Sequence, residues 1–179
     1  ADNDELADAI AAASRGIDDH CNRQFGKVAA ATTFYYQARQ DYDTREWRVD
    51  IDDLHSSANL VVVVNGTTIS SAGYELRPSN AVAKGKPYTL LAFTGGAEAL
   101  PSGKEGEVAI TSPNWGWPAV PTAVRMACKI QLSRVNWRRG APAGIAGSPD
   151  SGSEIRLLAK LDPDAINALR GFRRSRRPR

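Results

Sequence analysis

Apolar residues follow two different rhythms along this chain. Leu6, Ile10, Ala13, Ile17 and Cys21 fall three or four residues apart, followed by Phe25. That spacing predicts an amphipathic helix over residues 4–24, with one apolar stripe. Asp2, Asp4, Glu5 and Asp8 crowd its start, where a helix dipole favours negative charge. Gly26 is the expected stop.

From about residue 30 to 113 the rhythm changes to alternation. Trp47, Val49 and Ile51 alternate with Arg48, Asp50 and Asp52, which predicts a strand with one wet face. Residues 59–69 place two β-branched runs around Asn65-Gly66, the expected turn of a tight hairpin. Residues 61–64 are apolar on both faces, so that strand should be either buried on both sides or covered by a neighbour. Phe34, Tyr35 and Tyr36 are the expected opening strand, with further strands over 74–77, 89–93 and 107–111. A loose connection is expected at Gly95-Gly96 and over 101–106.

Helical rhythm returns after Trp115-Gly-Trp-Pro-Ala-Val-Pro121, where Pro118 and Pro121 preset a helix start. A second long helix is expected over 120–138. Its polar stripe is Arg125, Lys129, Ser133 and Asn136. Val124, Cys128, Leu132 and Val135 are apolar on one side, and Ala123, Met126, Ala127, Ile130 and Trp137 on the other. A helix apolar on two sides needs two neighbours, and one of them can be another copy. Residues 140–153 form a Gly/Pro/Ser-rich loop, followed by a short strand over 154–160. Asp162-Pro163-Asp164 is a helix start, with Asp as cap and Pro at the first helical position, for a short helix over 163–172.

The expected fold class is therefore α+β: a helical core of two long helices plus a short C-terminal helix, with an inserted antiparallel β-sandwich or barrel. The expected segments are 1–28, the first core helix; 29–117, the β-rich insert; 118–161, the second core helix, loop and short strand; and 162–179, the short helix and an arginine-rich tail. At 179 residues, 42% of them hydrophobic, the chain can bury a core. No apolar run approaches the roughly 20 residues of a membrane-spanning helix. The acidic, amphipathic first 25 residues do not have a signal-peptide pattern.

Charge adds a polarity that the net value of +3 hides. Residues 1–60 carry −6, residues 61–120 carry zero, and residues 121–179 carry +9. Such a gradient favours head-to-tail contact between copies, or docking of one end on an acidic surface. Six arginines crowd residues 170–179. Arginines this dense repel one another and need partners. Phe172 offers an apolar anchor among them, which favours docking on a protein; sequence-blind contact with nucleic-acid phosphates is the alternative.

Chemistry is hard to find. His20 and His55 have no Cys, Asp or His at metal-ligand spacing on a shared helix face, so no metal site is expected. Gly96 and Gly103-Lys104 have the wrong spacing for a phosphate loop, and Glu105 stands where a hydroxyl residue is needed. Asp50, Asp52 and Asp53 lack a calcium-loop pattern and read as a solvated strand end. Cys21 and Cys128 read as small buried thiols, suited to a reducing cytoplasm. Trp115, Trp117 and Pro118 read as the plug of a junction between subdomains. No catalytic residue and no cofactor is expected.

The stretch Ala9-Ile-Ala-Ala-Ala-Ser-Arg-Gly-Ile-Asp-Asp-His-Cys-Asn-Arg-Gln-Phe25 resembles the first core helix of the head–tail adaptor (connector, or head completion) proteins of long-tailed bacteriophages. Tyr74-Glu-Leu-Arg-Pro78, the run from Trp115 to Pro121, and Leu161-Asp-Pro-Asp-Ala165 before an arginine-rich end extend the resemblance over nearly the whole chain. It implies a virion protein at the head–tail interface, assembled in the host cytoplasm as a ring, commonly of twelve copies, beneath the portal. Such a ring extends the channel for packaged DNA and offers a platform for a stopper or tail-completion protein. It implies as partners the portal protein and neighbouring copies, and no membrane. Carried over, Arg170, Phe172, Arg173, Arg174, Arg176, Arg177 and Arg179 would dock on the portal. Arg125, Met126, Lys129, Ile130 and Trp137 are the candidates for contact between copies.

Overall fold

A computed structural model describes residues 2–139, 145–146, 155–156 and 161–174. The chain divides into two compact units: Gln24–Ala119, and Ala1–Arg23 together with Val120–Arg179.

The unit Gln24–Ala119 is built of strands. They are β1 (Thr32–Tyr36), β2 (Arg39–Gln40), β3 (Trp47–Leu54), β4 (Val61–Val64), β5 (Thr67–Ile69), β6 (Tyr74–Arg77), β7 (Tyr88–Phe93) and β8 (Val108–Ser112). Two four-stranded antiparallel sheets result, in the orders β1-β8-β4-β5 and β2-β3-β7-β6. Alternation sets which side chains face inward. Val49 and Ile51 are buried while Asp50 and Asp52 are exposed, and Val62 and Val64 are buried while Val61 is exposed. The inward residues of both sheets, with Trp115, make one apolar cluster. Asn65 and Gly66 both hold positive φ, 48° and 85°, and so close the β4–β5 hairpin with the twist its strands need.

The second unit holds three α-helices among the described residues: α1 (Asp2–Cys21), α2 (Thr122–Arg139) and α3 (Pro163–Leu169). A 3-10 turn, Arg170–Phe172, continues α3. Two short strands, β9 (Ile145–Ala146) and β10 (Ile155–Arg156), pair antiparallel. Thus part of the stretch expected as a loop is a strand. Otherwise the loop over 140–153 and the strand over 154–160 lie outside the described residues.

The expected architecture, a helical core with a β insert, is overturned. The described fold is mostly β, and three short helices of 20, 18 and 7 residues do not form a long-helix core. Its cause is side-chain size. Apart from Ile17, Cys21 and Leu169, the largest fully buried side chains belong to the β unit, Trp115, Ile51, Leu54, Leu91 and Ile110 among them. The buried helical positions are mostly small or medium: Ala13, Ile17 and Cys21 on α1, Val124 and Ala127 on α2. Helix ends shift as well. The first helix stops at Cys21, not near Gly26, because Asn22 takes the left-handed conformation (φ 50°). Arg23 N–H then donates to Asp18 O and Asn22 N–H to Asp19 O, the paired bonds that end a helix in this way. The second begins at Thr122, two residues later than expected, and Arg125 N–H closes its first turn on Pro121 O.

Candidate docking surfaces

Arg170, Arg173 and Arg174 follow α3, and α3 is positioned by α2. Asp162 caps α3: its carboxylate accepts from Asp164 N–H at 2.9 Å, and Pro163 follows at the first helical position. The same carboxylate takes a 2.8 Å ion pair from Arg134 of α2, and Gln131 Oε1 accepts from Asp162 N–H at 3.1 Å. The backbone bond from Asp164, helped by Arg134, holds the Asp162 carboxyl below its ordinary value despite partial desolvation. Ala165 and Leu169 are fully buried. Beyond the 3-10 turn the chain is extended at Arg173. Arg174 N–H donates to Cys21 O at 2.8 Å, and Asn22 Nδ2 donates to Arg174 O at 3.0 Å. Arg173 and Arg174 therefore lie at the C-terminal end of α1, where orphan carbonyls favour positive charge. Arg170 and Arg173 are exposed, and Phe172 and Arg174 are half-buried. Arg176, Arg177 and Arg179 lie outside the described residues.

The second expected surface is on α2. Arg125, Met126 and Lys129 are exposed and share an outward stripe with Thr122, Ser133 and Asn136. Ile130 is half-buried, and the side chain of Trp137 lies outside the described residues. Toward α1, Cys128 Sγ lies 3.7 Å from Ser14 Oγ. Cys21 is fully buried; burial pushes its thiol up, with the Arg23 charge opposing.

Trp115 and Trp117 are buried in the β unit. Trp115 donates Nε1–H to Thr32 O at 2.9 Å and tilts against Phe34, ring centres 4.9 Å apart. Trp117 stands 5.4 Å from Phe25 and donates Nε1–H to Asp53 Oδ2 at 2.8 Å. Pro118 is exposed. Asp53 is only 4% exposed, so it is not part of a solvated strand end. The signal was its parity: Asp53 follows Val49 and Ile51 at spacing two, on the inward face. Asp52 does face out, where it accepts from Tyr36 OH at 2.9 Å.

A cluster of charged groups in the β unit is paired within it. Glu46 receives Arg77 and Arg48, each at 2.9 Å; Arg48 also meets Asp41, and Arg77 meets Glu75. The bonds from Arg77 and then Arg48 hold the Glu46 carboxyl down at about 2. Buried Glu107 accepts from Ser102 N–H and Oγ–H and from Gly103 N–H, and so shapes the loop before β8. Burial raises its carboxyl, but those bonds outweigh it and leave the group below its ordinary value. Burial, with Lys27 nearby, pushes His55 down. Among the described residues no group of three or more His, Cys, Asp or Glu could hold a metal, and no helix is long and apolar enough to cross a membrane.

One solved structure sharing this arrangement is a chain in the neck of an empty gene transfer agent particle computed with C6 symmetry. The match covers 99% of this chain and 82% of that one, with a TM-score of 0.58 at 14% identity. The two chains share a fold. A chain from the virion of a native gene transfer agent particle shares it too, with a TM-score of 0.53 at 16% identity, over 99% of this chain and 81% of that one. The neck fold agrees with the resemblance to head–tail adaptors carried by the sequence motifs. No family model and no curated protein matches the sequence.

Proposed function

We propose that this chain is a structural protein of the neck of a phage-like particle, an adaptor that forms a ring beneath the portal. One observation carries the reading: 99% of the chain aligns with the fold of a neck chain whose particle was computed with C6 symmetry. A ring of twelve copies is compatible with that symmetry. The charge gradient, −6 to +9 from end to end, supports assembly by unlike surfaces. In this reading the ring extends the channel for packaged DNA and carries a stopper or tail-completion protein on its far side. Arg170, Phe172, Arg173, Arg174, Arg176, Arg177 and Arg179 dock on the portal. Arg125, Met126, Lys129, Ile130 and Trp137 face neighbouring copies. The role is structural, not catalytic.

The packing of the C-terminus dictates the test. Removing residues 170–179 would strip Arg174 from the end of α1 as well as remove charge. Ending the chain after Arg174 removes residues 175–179, and with them Arg176, Arg177 and Arg179, while Arg174 stays. Capture by the portal of the same particle, at about physiological salt, should fall at least about tenfold in that truncation while α-helical content is kept. Undiminished capture would remove the portal role from the tail. Retention on duplex DNA at that salt, with no capture by the portal, would favour nucleic acid as the tail's partner.

A further inference from the structure

The stripe of α1 is covered along only part of its length. Ala13, Ile17 and Cys21 are at most 5% exposed, while Leu6 is 53% and Ile10 44% exposed. Residues 3–8 are exposed on every side of the helix. Asp4, Glu5 and Asp8 surround Leu6, and no basic residue precedes Arg15. Leu6 and Ile10 thus form an exposed apolar ridge with an acidic border.

The outward stripe of α2 has the opposite character. Met126 is 49% exposed, with Arg125 and Lys129 exposed beside it. The helix contains no acidic residue. Two exposed surfaces of one molecule are therefore matched in hydrophobicity and opposed in charge.

We propose that the first two turns of α1 pack onto the outward stripe of α2 in a second copy of this chain. Leu6 and Ile10 cover Met126, and Asp4, Glu5 and Asp8 stand opposite Arg125 and Lys129. The two patches differ, so the contact is heterologous and repeats from copy to copy until it closes. This inference rests on the ring reading and names the surfaces that join the ring. Such helix faces bury well under the roughly 1,000 Å² of a stable isolated interface, and exposed ion pairs are weak and screened by salt. An isolated pair is therefore weakly held, and closure of the ring gathers the contacts.

The test uses the full chain assembled on its portal, with rings counted by electron microscopy. Asp4, Glu5 and Asp8 are changed together to Lys in one variant, and Arg125 and Lys129 to Glu in another. Each should raise the concentration needed for rings by about tenfold or more, and a chain carrying both sets should recover to within about threefold of wild type. A second measurement does not depend on the reversed helices folding. A chain with Leu6→Cys and Met126→Cys, treated with a short bis-maleimide, should give a ladder of linked copies that neither single variant gives. Wild-type rings that persist through both charge reversals, with no ladder, would overturn the inference and leave the ring reading standing. A wild-type chain that forms no ring on the portal would overturn both.

Discussion

Asp53 is a buried carboxylate within β3. It lies on the inward parity of β3, and the pairing with β7 becomes irregular between Asp50 and Leu54. That irregularity lets Leu54 be buried directly after Asp53. Trp117→Phe keeps an aromatic ring but removes the indole N–H that bonds a buried carboxylate, together with part of the buried ring volume. It should cost about 2 kcal/mol in urea unfolding monitored on the β unit; an unchanged midpoint would mean that this bond contributes nothing. Glu46 makes a pH prediction. Its carboxyl falls from an ordinary 4.5 to about 2, so it binds protons more weakly folded than unfolded. Its contribution is fully present above about pH 4.5 and is lost as pH falls toward 2. Acid unfolding of Glu46→Gln should therefore be less steep in that window than that of wild type. The difference should shrink in high salt, because the cluster is partly exposed.

At the scale of elements, Gly116 holds φ at 99°, and a Cβ there would run into the backbone of Gly26 and Lys27. Its N–H also donates to Asp53 O at 2.6 Å. Gly116→Ala should cost more than the roughly 1 kcal/mol typical of a strained glycine position, because the backbone it meets cannot move aside cheaply. A thermal melt of the variant checks this. Strands were legible in the sequence where alternation was clean, as at Trp47, Val49 and Ile51, or where a turn has one chemistry, as at Asn65-Gly66. Asp162-Pro163 announced α3 for the same local reason. What could not be read locally was the balance between elements. The apolar stripe of α1 is as regular at Leu6 as at Ile17, yet only the latter is buried. Nor does any local signal show Arg174 meeting Cys21, residues far apart in sequence that are brought together by the path of the chain. The helical stripes therefore suggested a helical core that the large buried side chains of the sheets displace.

For the whole molecule, a fold shared with a neck chain of a gene transfer agent particle carries an arginine-rich end and two exposed helix faces of opposite charge, on α1 and α2. The C-terminus combines a structural anchor with the proposed docking tail. Leu169 is fully buried and Arg174 is bonded to the end of α1, so a chain ending before Leu169 should lose helix content and melt lower, whereas one ending after Arg174 should melt like wild type. Circular dichroism of the two truncations separates anchor from tail. The central claim is that copies of this chain close into a ring on a portal. Electron microscopy of the full chain mixed with the portal of its own particle tests it most directly. The account predicts coaxial rings whose copy number is a multiple of six; monomers that leave every portal bare, at any protein concentration tried, would contradict it.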